Sequence, residues 1–204
     1  MSLKSSFKSD LQKEKFLGVL LDSYYNKYLK NYNFKRVNDL KSQLKGIDLI
    51  FTSKENGQRF FVDEKAQLDY INEDLPTFAF ELSYFKNEQP KKGWLFDADK
   101  VTDFYALITG IYADEPQQFT SCKITFVNRA KLIRFLNDLG LTETFLLKTM
   151  QTTSDFHGKK KIQGLNQKNE GYLFFSRFNK AEKPVNLILK LDFLIANGIA
   201  KRLV

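Results

Sequence analysis

Hydrophobic residues recur at helical spacing near the start of the chain. Leu17, Leu20, Leu21, Tyr24 and Tyr28 recur at three- and four-residue steps. Side chains with that spacing share one face of an α-helix. The pattern predicts an amphipathic helix over residues 11–30, with its apolar face toward the core.

The pattern changes to a β type after this helix. Residues 34–38, the stretch GIDLIFTS (46–53) and the stretch QRFFVDEKAQ (58–67) are rich in branched and aromatic side chains. The short link KENG, residues 54–57, carries the Asn-Gly pair that is typical of hairpin turns. Three strands are therefore predicted, of which the second and third form a hairpin.

The remaining chain predicts a mixture of helices and strands. A helix is predicted around Phe78 to Phe85, then either a long strand or a strand with a bend at Gly110, then a strand over residues 122–129 and a helix ended by Gly140. Residues 151–171 are polar and predict a loop or hairpin. Strands at 171–178 and 185–191 and a closing helix at 191–204 follow. This order is typical of an α/β or α+β domain.

Length and composition indicate one globular domain over residues 1–204. Hydrophobic residues make up 43% of the 204 positions and aromatic residues 15%, which is enough for a sizeable core. No apolar run reaches the roughly 18 residues that span a membrane. The first residues lack the apolar segment of a secretory signal, so a cytoplasmic protein with no membrane partner is expected.

The chemistry is limited by the rarity of cysteine and histidine. The single Cys122 excludes an internal disulfide, and with the single His157 it leaves no set of zinc ligands. Mechanisms that need a catalytic histidine would all depend on His157, which lies in a polar stretch. The net charge of +8 favours a polyanionic partner such as nucleic acid.

Two acidic residues and a lysine stand out in the predicted hairpin. In a strand, Asp63 and Lys65 share one face, and Asp48 lies in the preceding strand, where the hairpin brings it near Asp63. Adjacent carboxylates repel unless a cation neutralises them, and oxygen ligands suit Mg²⁺ or Mn²⁺. A lysine beside such a metal can support an attacking water, which indicates phosphodiester hydrolysis.

The residues Gly46-Ile47-Asp48, followed at hairpin distance by Asp63-Glu64-Lys65, resemble the PD-(D/E)XK nuclease superfamily. The resemblance covers roughly residues 10–130 and implies a restriction-endonuclease-like core. That core is a central mixed β-sheet flanked by helices, in the order α-β-β-β-α-β. Residues 131–204 would then be a C-terminal α/β extension packed on the core.

The resemblance also implies roles for individual residues. Asp48 and Asp63 would be catalytic metal ligands, Lys65 the catalytic lysine and Gln67 an accompanying polar catalytic residue. Glu14, on the first helix, would complete the metal site. Ile47 stands where the motif has proline. A bulge in the strand would exchange Asp63 with Glu64, so the sequence leaves open which of the two is the metal ligand.

The expected function is a Mg²⁺- or Mn²⁺-dependent endonuclease acting on duplex or branched DNA. An inactive protein of the same fold, serving as a nucleic-acid-binding or protein-interaction module, is the alternative. A homodimer is a further expectation, because many enzymes of this type dimerise. Six basic residues are predicted to contact DNA, namely Arg129, Lys131, Arg134, Lys159, Lys160 and Lys161.

Overall fold

The computed structural model describes residues 7–115, 118–153, 156–178 and 181–204, with side chains from residue 13 onward. The first six residues of the predicted single domain thus lie outside the described residues. The elements, in chain order, are α1 (Phe7–Tyr28), β1 (Tyr32–Arg36), α2 (Leu40–Leu44), β2 (Leu49–Ser53), β3 (Arg59–Ala66), β4 (Thr77–Lys86), β5 (Gln89–Lys92), β6 (Phe104–Glu115), β7 (Gln118–Asn128), α3 (Arg129–Asp138), α4 (Glu143–Gln151), β8 (Gly158–Lys160), β9 (Gly171–Phe175), β10 (Val185–Lys190), α5 (Leu191–Ala196) and β11 (Ala200–Arg202).

The chain divides into two units. The first, called the α1 unit, comprises the described residues up to Leu75 together with Lys100–Arg129 and Ala200–Val204. The second, called the β4 unit, comprises Pro76–Asp99 and Ala130–Ile199. The predicted core of residues 10–130 therefore differs from the α1 unit, because residues 76–99 belong to the β4 unit and the last five residues return to the α1 unit.

The α1 unit is built on a six-stranded mixed sheet in the order β1-β2-β3-β6-β7-β11. β3 and β6 run parallel, and every other neighbouring pair is antiparallel. Helix α1 confirms the predicted amphipathic helix, since Leu17, Leu21 and Tyr25 are buried in one cluster with Leu49 and Val62 of the sheet. One face of the sheet is thereby covered by α1.

The predicted hairpin is confirmed. β2 and β3 pair antiparallel with Leu49 opposite Val62 and Thr52 opposite Arg59. The turn is closed by a hydrogen bond from the Ser53 amide to the Gln58 carbonyl. Gly57 adopts a φ of +72°, the left-handed region that glycine enters at little cost. The Asn-Gly signal therefore identified this connection correctly.

The predicted helix around Phe78 to Phe85 is wrong, because this segment is strand β4. Its burial alternates along the strand, with Phe78, Phe80 and Leu82 buried and their neighbours partly exposed. Alternation with a period of two is the pattern of a strand with one buried face. No α-helix occurs between β3 and β6, where residues 68–70 form only a single 3₁₀ turn. The α-β-β-β-α-β order is thus not the order of the chain.

The β4 unit contains a five-stranded antiparallel sheet in the order β5-β4-β10-β9-β8. The three helices α3, α4 and α5 bury Leu132, Leu146 and Leu194 respectively. Helix α4 was not predicted, and the predicted closing helix is shorter than expected. α5 ends at Ala196 and the chain then forms β11, which pairs with β7.

The molecule is therefore a mixed α and β protein with a mixed multistranded sheet flanked by a helix. Of the two forms predicted for the long strand, β6 has the one with a bend at Gly110, because Gly110 has a φ of +50° and the β6–β7 register shifts between Thr109 and Tyr112. Among the described residues, every helix is too short or too polar to cross a lipid bilayer.

Candidate active site

Asp48 and Asp63 face each other at the open end of the β2–β3 hairpin. Extending the pairing of Leu49 with Val62 by one residue sets Asp48 opposite Asp63. The Asp48 amide donates to the Val62 carbonyl at 2.9 Å, and Asp48 Oδ2 accepts from the Glu64 amide at 2.8 Å. Residues that are directly opposite in an antiparallel pair place their side chains on the same face. The structure thus brings the two carboxylates together.

Lys65 joins this pair on the same face of β3. Its Nζ lies 2.5 Å from Asp63 Oδ1, and the Asp63 side chain is almost fully buried at 3% exposure, whereas that of Lys65 is 28% exposed. The β3–β6 pairing runs without a shift from Val62 to Ala66, so no bulge interrupts the alternation. Asp63, not Glu64, is therefore the acidic residue of β3 that shares a cluster with Asp48 and Lys65.

Glu64 is engaged on the opposite face of the sheet. Its carboxylate accepts a hydrogen bond from Tyr25 Oη at 2.7 Å and lies 2.6 Å from Arg36 Nη1. Arg36 also contacts Asp22 at 2.7 Å. Burial alone lowers the pKa of Arg36, but the bonds to Glu64 and Asp22 outweigh it and raise the pKa overall. Glu64 thereby ties β3 to α1 and β1.

The carboxylate pair is electrostatically strained. The pKa of Asp48 is raised from 3.8 to about 7, first by burial and then by the charge and hydrogen bonding of Asp63. Ionisation of Asp48 would place a second negative charge beside Asp63 in a buried site. At neutral pH Asp48 is therefore close to the midpoint of its titration.

The same atoms fit a divalent cation. Asp63 Oδ2 is buried and has no hydrogen-bond partner among the described residues. A buried anionic oxygen without a donor is unfavourable, and a hard cation bound by oxygen ligands would satisfy it. In the described part of the chain, no group of three or more Asp, Glu, His or Cys residues is arranged to hold a metal. The fit therefore rests on two carboxylates.

Gly46 places the backbone directly against this cluster. It has a φ of +74°, and a Cβ added there would lie 2.3 Å from Thr102 Oγ1 and 3.3 Å from Asp63 Oδ2. Thr102 Oγ1 donates to the Gly46 carbonyl at 2.7 Å. Gly46 was part of the predicted motif. Thr102 was not predicted from the sequence, because its contact with Gly46 joins segments 56 residues apart.

Arg129 lies next to Asp63 through Tyr105. Tyr105 pairs with Asp63 across the parallel strands β3 and β6, so the two side chains share a face. Arg129 Nε donates to Tyr105 Oη at 3.0 Å, and Arg129 Nη1 donates to the Lys100 carbonyl at 3.4 Å. The predicted DNA contact Arg129 is thus partly buried beside the cluster. Tyr105 and Lys100 were not predicted from the sequence, because their relation to Asp63 depends on the pairing of β3 with β6.

Glu14 and Gln67 were also predicted to be site residues, but they are not part of the cluster formed by Asp48, Asp63 and Lys65. Glu14 is an exposed residue of α1, and it is not grouped with Asp48 and Asp63. Gln67 follows the last residue of β3, and its amide donates to the Ile108 carbonyl at 3.0 Å. It begins the 3₁₀ turn that follows β3. The catalytic role of Gln67 and the metal-binding role of Glu14 stay predictions.

The other predicted DNA contacts belong to the β4 unit. Lys131 and Arg134 are exposed on α3, and Lys159 and Lys161 are exposed at strand β8. Lys160 points away from Lys159 along the strand, and its Nζ donates to Thr153 Oγ1. The structure therefore separates Lys160 from the other two lysines of its run.

Comparisons of the chain with family models, with curated proteins and with solved structures each found no match.

Proposed function

We propose that this chain is a Mg²⁺- or Mn²⁺-dependent DNA endonuclease, similar to the PD-(D/E)XK nucleases. The observation that carries the proposal is the arrangement of Asp48, Asp63 and Lys65 on one face of the β2–β3 hairpin, with a buried Asp63 oxygen that lacks a donor. Two opposed carboxylates beside a lysine are the parts needed for metal-assisted phosphodiester hydrolysis.

Each residue of the trio has a distinct task in this proposal. Asp48 and Asp63 would hold the cation, which when bound lowers the pKa of water and polarises a phosphoryl oxygen. The ammonium group of Lys65, held by Asp63 and partly open to solvent, would orient the attacking water and offset the negative charge that develops on the phosphate. Asp63 would thus position Lys65 as well as the metal.

The fold supports the proposal in part. The α1 unit has the mixed sheet expected of a restriction-endonuclease-like core, with three antiparallel strands followed by the parallel strand β6. The chain departs from the expected order between β3 and β6, where it enters the β4 unit instead of forming a helix. We propose that this segment replaces the helical connection of that core.

The proposal is tested by nicking of supercoiled plasmid and of branched DNA in Mg²⁺ or Mn²⁺. Asp63→Ala and Lys65→Ala should each abolish cleavage, because one loses a metal ligand and the other the charge beside the water. Neither should weaken DNA binding much, since affinity comes from basic residues spread over the surface. Calcium should support binding without cleavage, because its looser coordination activates water poorly.

The matched control is the exposed ion pair Lys123–Asp74, which has the same chemistry as Lys65–Asp63 but side-chain exposures of 39% and 41%. Asp74→Ala and Lys123→Ala should cleave like the wild type. A second readout is independent of activity, because Mn²⁺ should raise the Tm of the wild type but not of Asp63→Ala. Cleavage by folded Asp63→Ala would contradict the proposal, and DNA binding with neither cleavage nor a Mn²⁺-induced Tm shift would favour the inactive binding module.

A further inference from the structure

A strip of aromatic and basic side chains lies at the β8–β9 end of the β4-unit sheet. The strip is defined here by Lys159, Tyr172, Phe174, His157, Arg177 and Phe178. None of these residues is part of the Asp48–Asp63–Lys65 cluster. Phe178 is 76% exposed, more than any other large hydrophobic side chain in the described residues. A single exposed apolar side chain is common, but this ring belongs to a group of neighbouring aromatic and basic side chains.

The rings of the strip follow one another in contact. The His157 ring lies 5.0 Å from that of Phe178 and 6.0 Å from that of Phe174, measured between centroids. Phe174 pairs with Lys159 across β8 and β9, and the Lys159 ammonium lies 5.2 Å from the centre of the Tyr172 ring. Exposed π surface and positive charge therefore alternate along the strip.

The His157 imidazole offers a hydrogen-bond donor at the Phe178 end of the strip. The Arg177 amide donates to His157 Nδ1 at 3.1 Å, which puts the hydrogen of the neutral imidazole on Nε2. The Arg177 guanidinium lies over Phe175 at 5.6 Å, and its Nε has no hydrogen-bond partner among the described residues. Because this Nε is buried and Phe175 lies on the opposite face of β9 from Phe174, Arg177 adds positive charge at this end but no phosphate contact.

Further positive charge continues beyond strand β8. Lys161 and Lys168 line a cavity of about 520 Å³ together with the amide side chains of Asn166 and Gln167. The amides of Lys168 and Asn169 both donate to Asn166 Oδ1, at 2.9 and 3.1 Å, so this loop has a defined turn. Phosphates of a chain passing along the strip would meet these lysines next.

We infer that this strip binds an unpaired strand of DNA, with bases stacked at Phe178 and His157 and phosphates at Lys159 and Lys161. Base stacking on aromatic rings combined with a basic track is how sequence-tolerant single-strand sites work. The faces of a base in a duplex are covered by the neighbouring base pairs, so only an unpaired base can stack on an exposed ring such as Phe178.

The choice of DNA over RNA rests on the proposed endonuclease function, whereas the stacking geometry does not. On this inference the substrate is DNA with an unpaired segment, such as a branch or a displaced strand. The β4 unit supplies the recognition of that segment.

The test is fluorescence anisotropy of a labelled oligothymidine in EDTA, so that no metal-dependent step is involved. Phe178→Ala should weaken binding about fivefold or more, because stacking of one base is lost. Lys159→Ala should weaken binding and make the loss of affinity with rising salt shallower, because one phosphate contact is removed. The matched control Phe16→Ala removes a phenylalanine that is 45% exposed on α1 and should bind like the wild type. Circular dichroism and Tm would verify that each variant folds.

Three competitors separate the alternatives, namely the matching duplex, an oligouridine and heparin. The inference expects oligothymidine to compete best and Phe178→Ala to leave heparin binding unchanged. The inference would be overturned if duplex or heparin competed equally well or if oligouridine bound more tightly. It would also be overturned if Phe178→Ala bound oligothymidine as tightly as the wild type. The strip would then be a surface for a protein or a general polyanion. Nicking that persists without oligothymidine binding overturns this inference alone, whereas lost nicking with intact binding overturns only the proposed function.

Discussion

Asp48 shows how strongly local environment changes one side chain. Its backbone is fixed on both sides, because its amide donates to the Val62 carbonyl and its carbonyl accepts from the Val37 amide. The carboxyl group therefore cannot move away from Asp63, and burial and that neighbour together raise its pKa to about 7. Such a shift is typical of functional carboxylates, whose ionised form is often less stable in the folded protein than in water.

This pKa predicts a pH dependence of stability in EDTA. Between about pH 4 and pH 7 the folded protein holds a proton on Asp48 that the unfolded chain has released, so the free energy of unfolding should fall as pH rises. Asp48→Asn lacks this titration, so its stability advantage over the wild type should grow by about 2–3 kcal/mol between pH 5 and pH 8. Urea unfolding at the two pH values measures this difference.

Magnesium should reverse that order at the higher pH, because the cation binds the ionised wild-type pair and stabilises the folded state by mass action. A variant that shows the same pH slope as the wild type would contradict the assigned pKa of Asp48. Asp39→Asn is a suitable control, because Asp39 is the exposed N-cap residue of α2 and is not part of the buried Asp48–Asp63 pair.

The side chains of strand β3 alternate between the two faces of the sheet, and each face has a different role. Val62 and Glu64 face α1 and hold the strand in the core, whereas Asp63 and Lys65 face the other way. The pairing of Glu64 with Arg36 neutralises a charge that would otherwise be buried. The strand can therefore carry three consecutive charged residues without a bulge.

The connection between α2 and β2 depends on Gly46, which predicts a specific loss of stability. Gly46→Ala must enter the left-handed region and also displace Thr102 Oγ1, so it should lower the free energy of unfolding by about 3 kcal/mol or more. Gly57→Ala has a similar φ of +72° but open space, so it should lose only about 1–2 kcal/mol. Urea unfolding of both variants isolates the contribution of the close contact. Equal losses would show that Thr102 gives way freely.

The whole molecule carries a net charge of +8. Affinity for DNA should therefore fall steeply with salt, with a log–log slope of about −0.9 for each phosphate contacted on a duplex. Replacing Lys161 with Ala should reduce the magnitude of that slope by about one unit on a strand that reaches the strip, whereas Asp63→Ala should leave the slope unchanged. Anisotropy titrations over a salt series measure both. A salt-independent affinity would argue against phosphate contacts altogether.

Local periodicity was sufficient to place α1, the β2–β3 hairpin and the shared face of Asp63 and Lys65. These features depend on residues that are close in sequence, and a two-residue repeat next to an Asn-Gly turn leaves little choice of register. Asp48 could be placed near Asp63 for the same reason, because the length of the turn determines which residues lie opposite each other.

Long-range pairing decided the features that local pattern could not. Phe78 to Phe85 carries apolar side chains that suit either a helix or a strand, and its pairing with β10, about a hundred residues later, makes it a strand. Tyr105, Thr102 and Arg129 reach the neighbourhood of Asp63 only because β6 pairs with β3. The structure likewise shows that Asp63, and not Glu64, lies beside Asp48. Arg36 and Tyr25 bind Glu64 on the far face, and such charge pairing depends on segments brought together by folding.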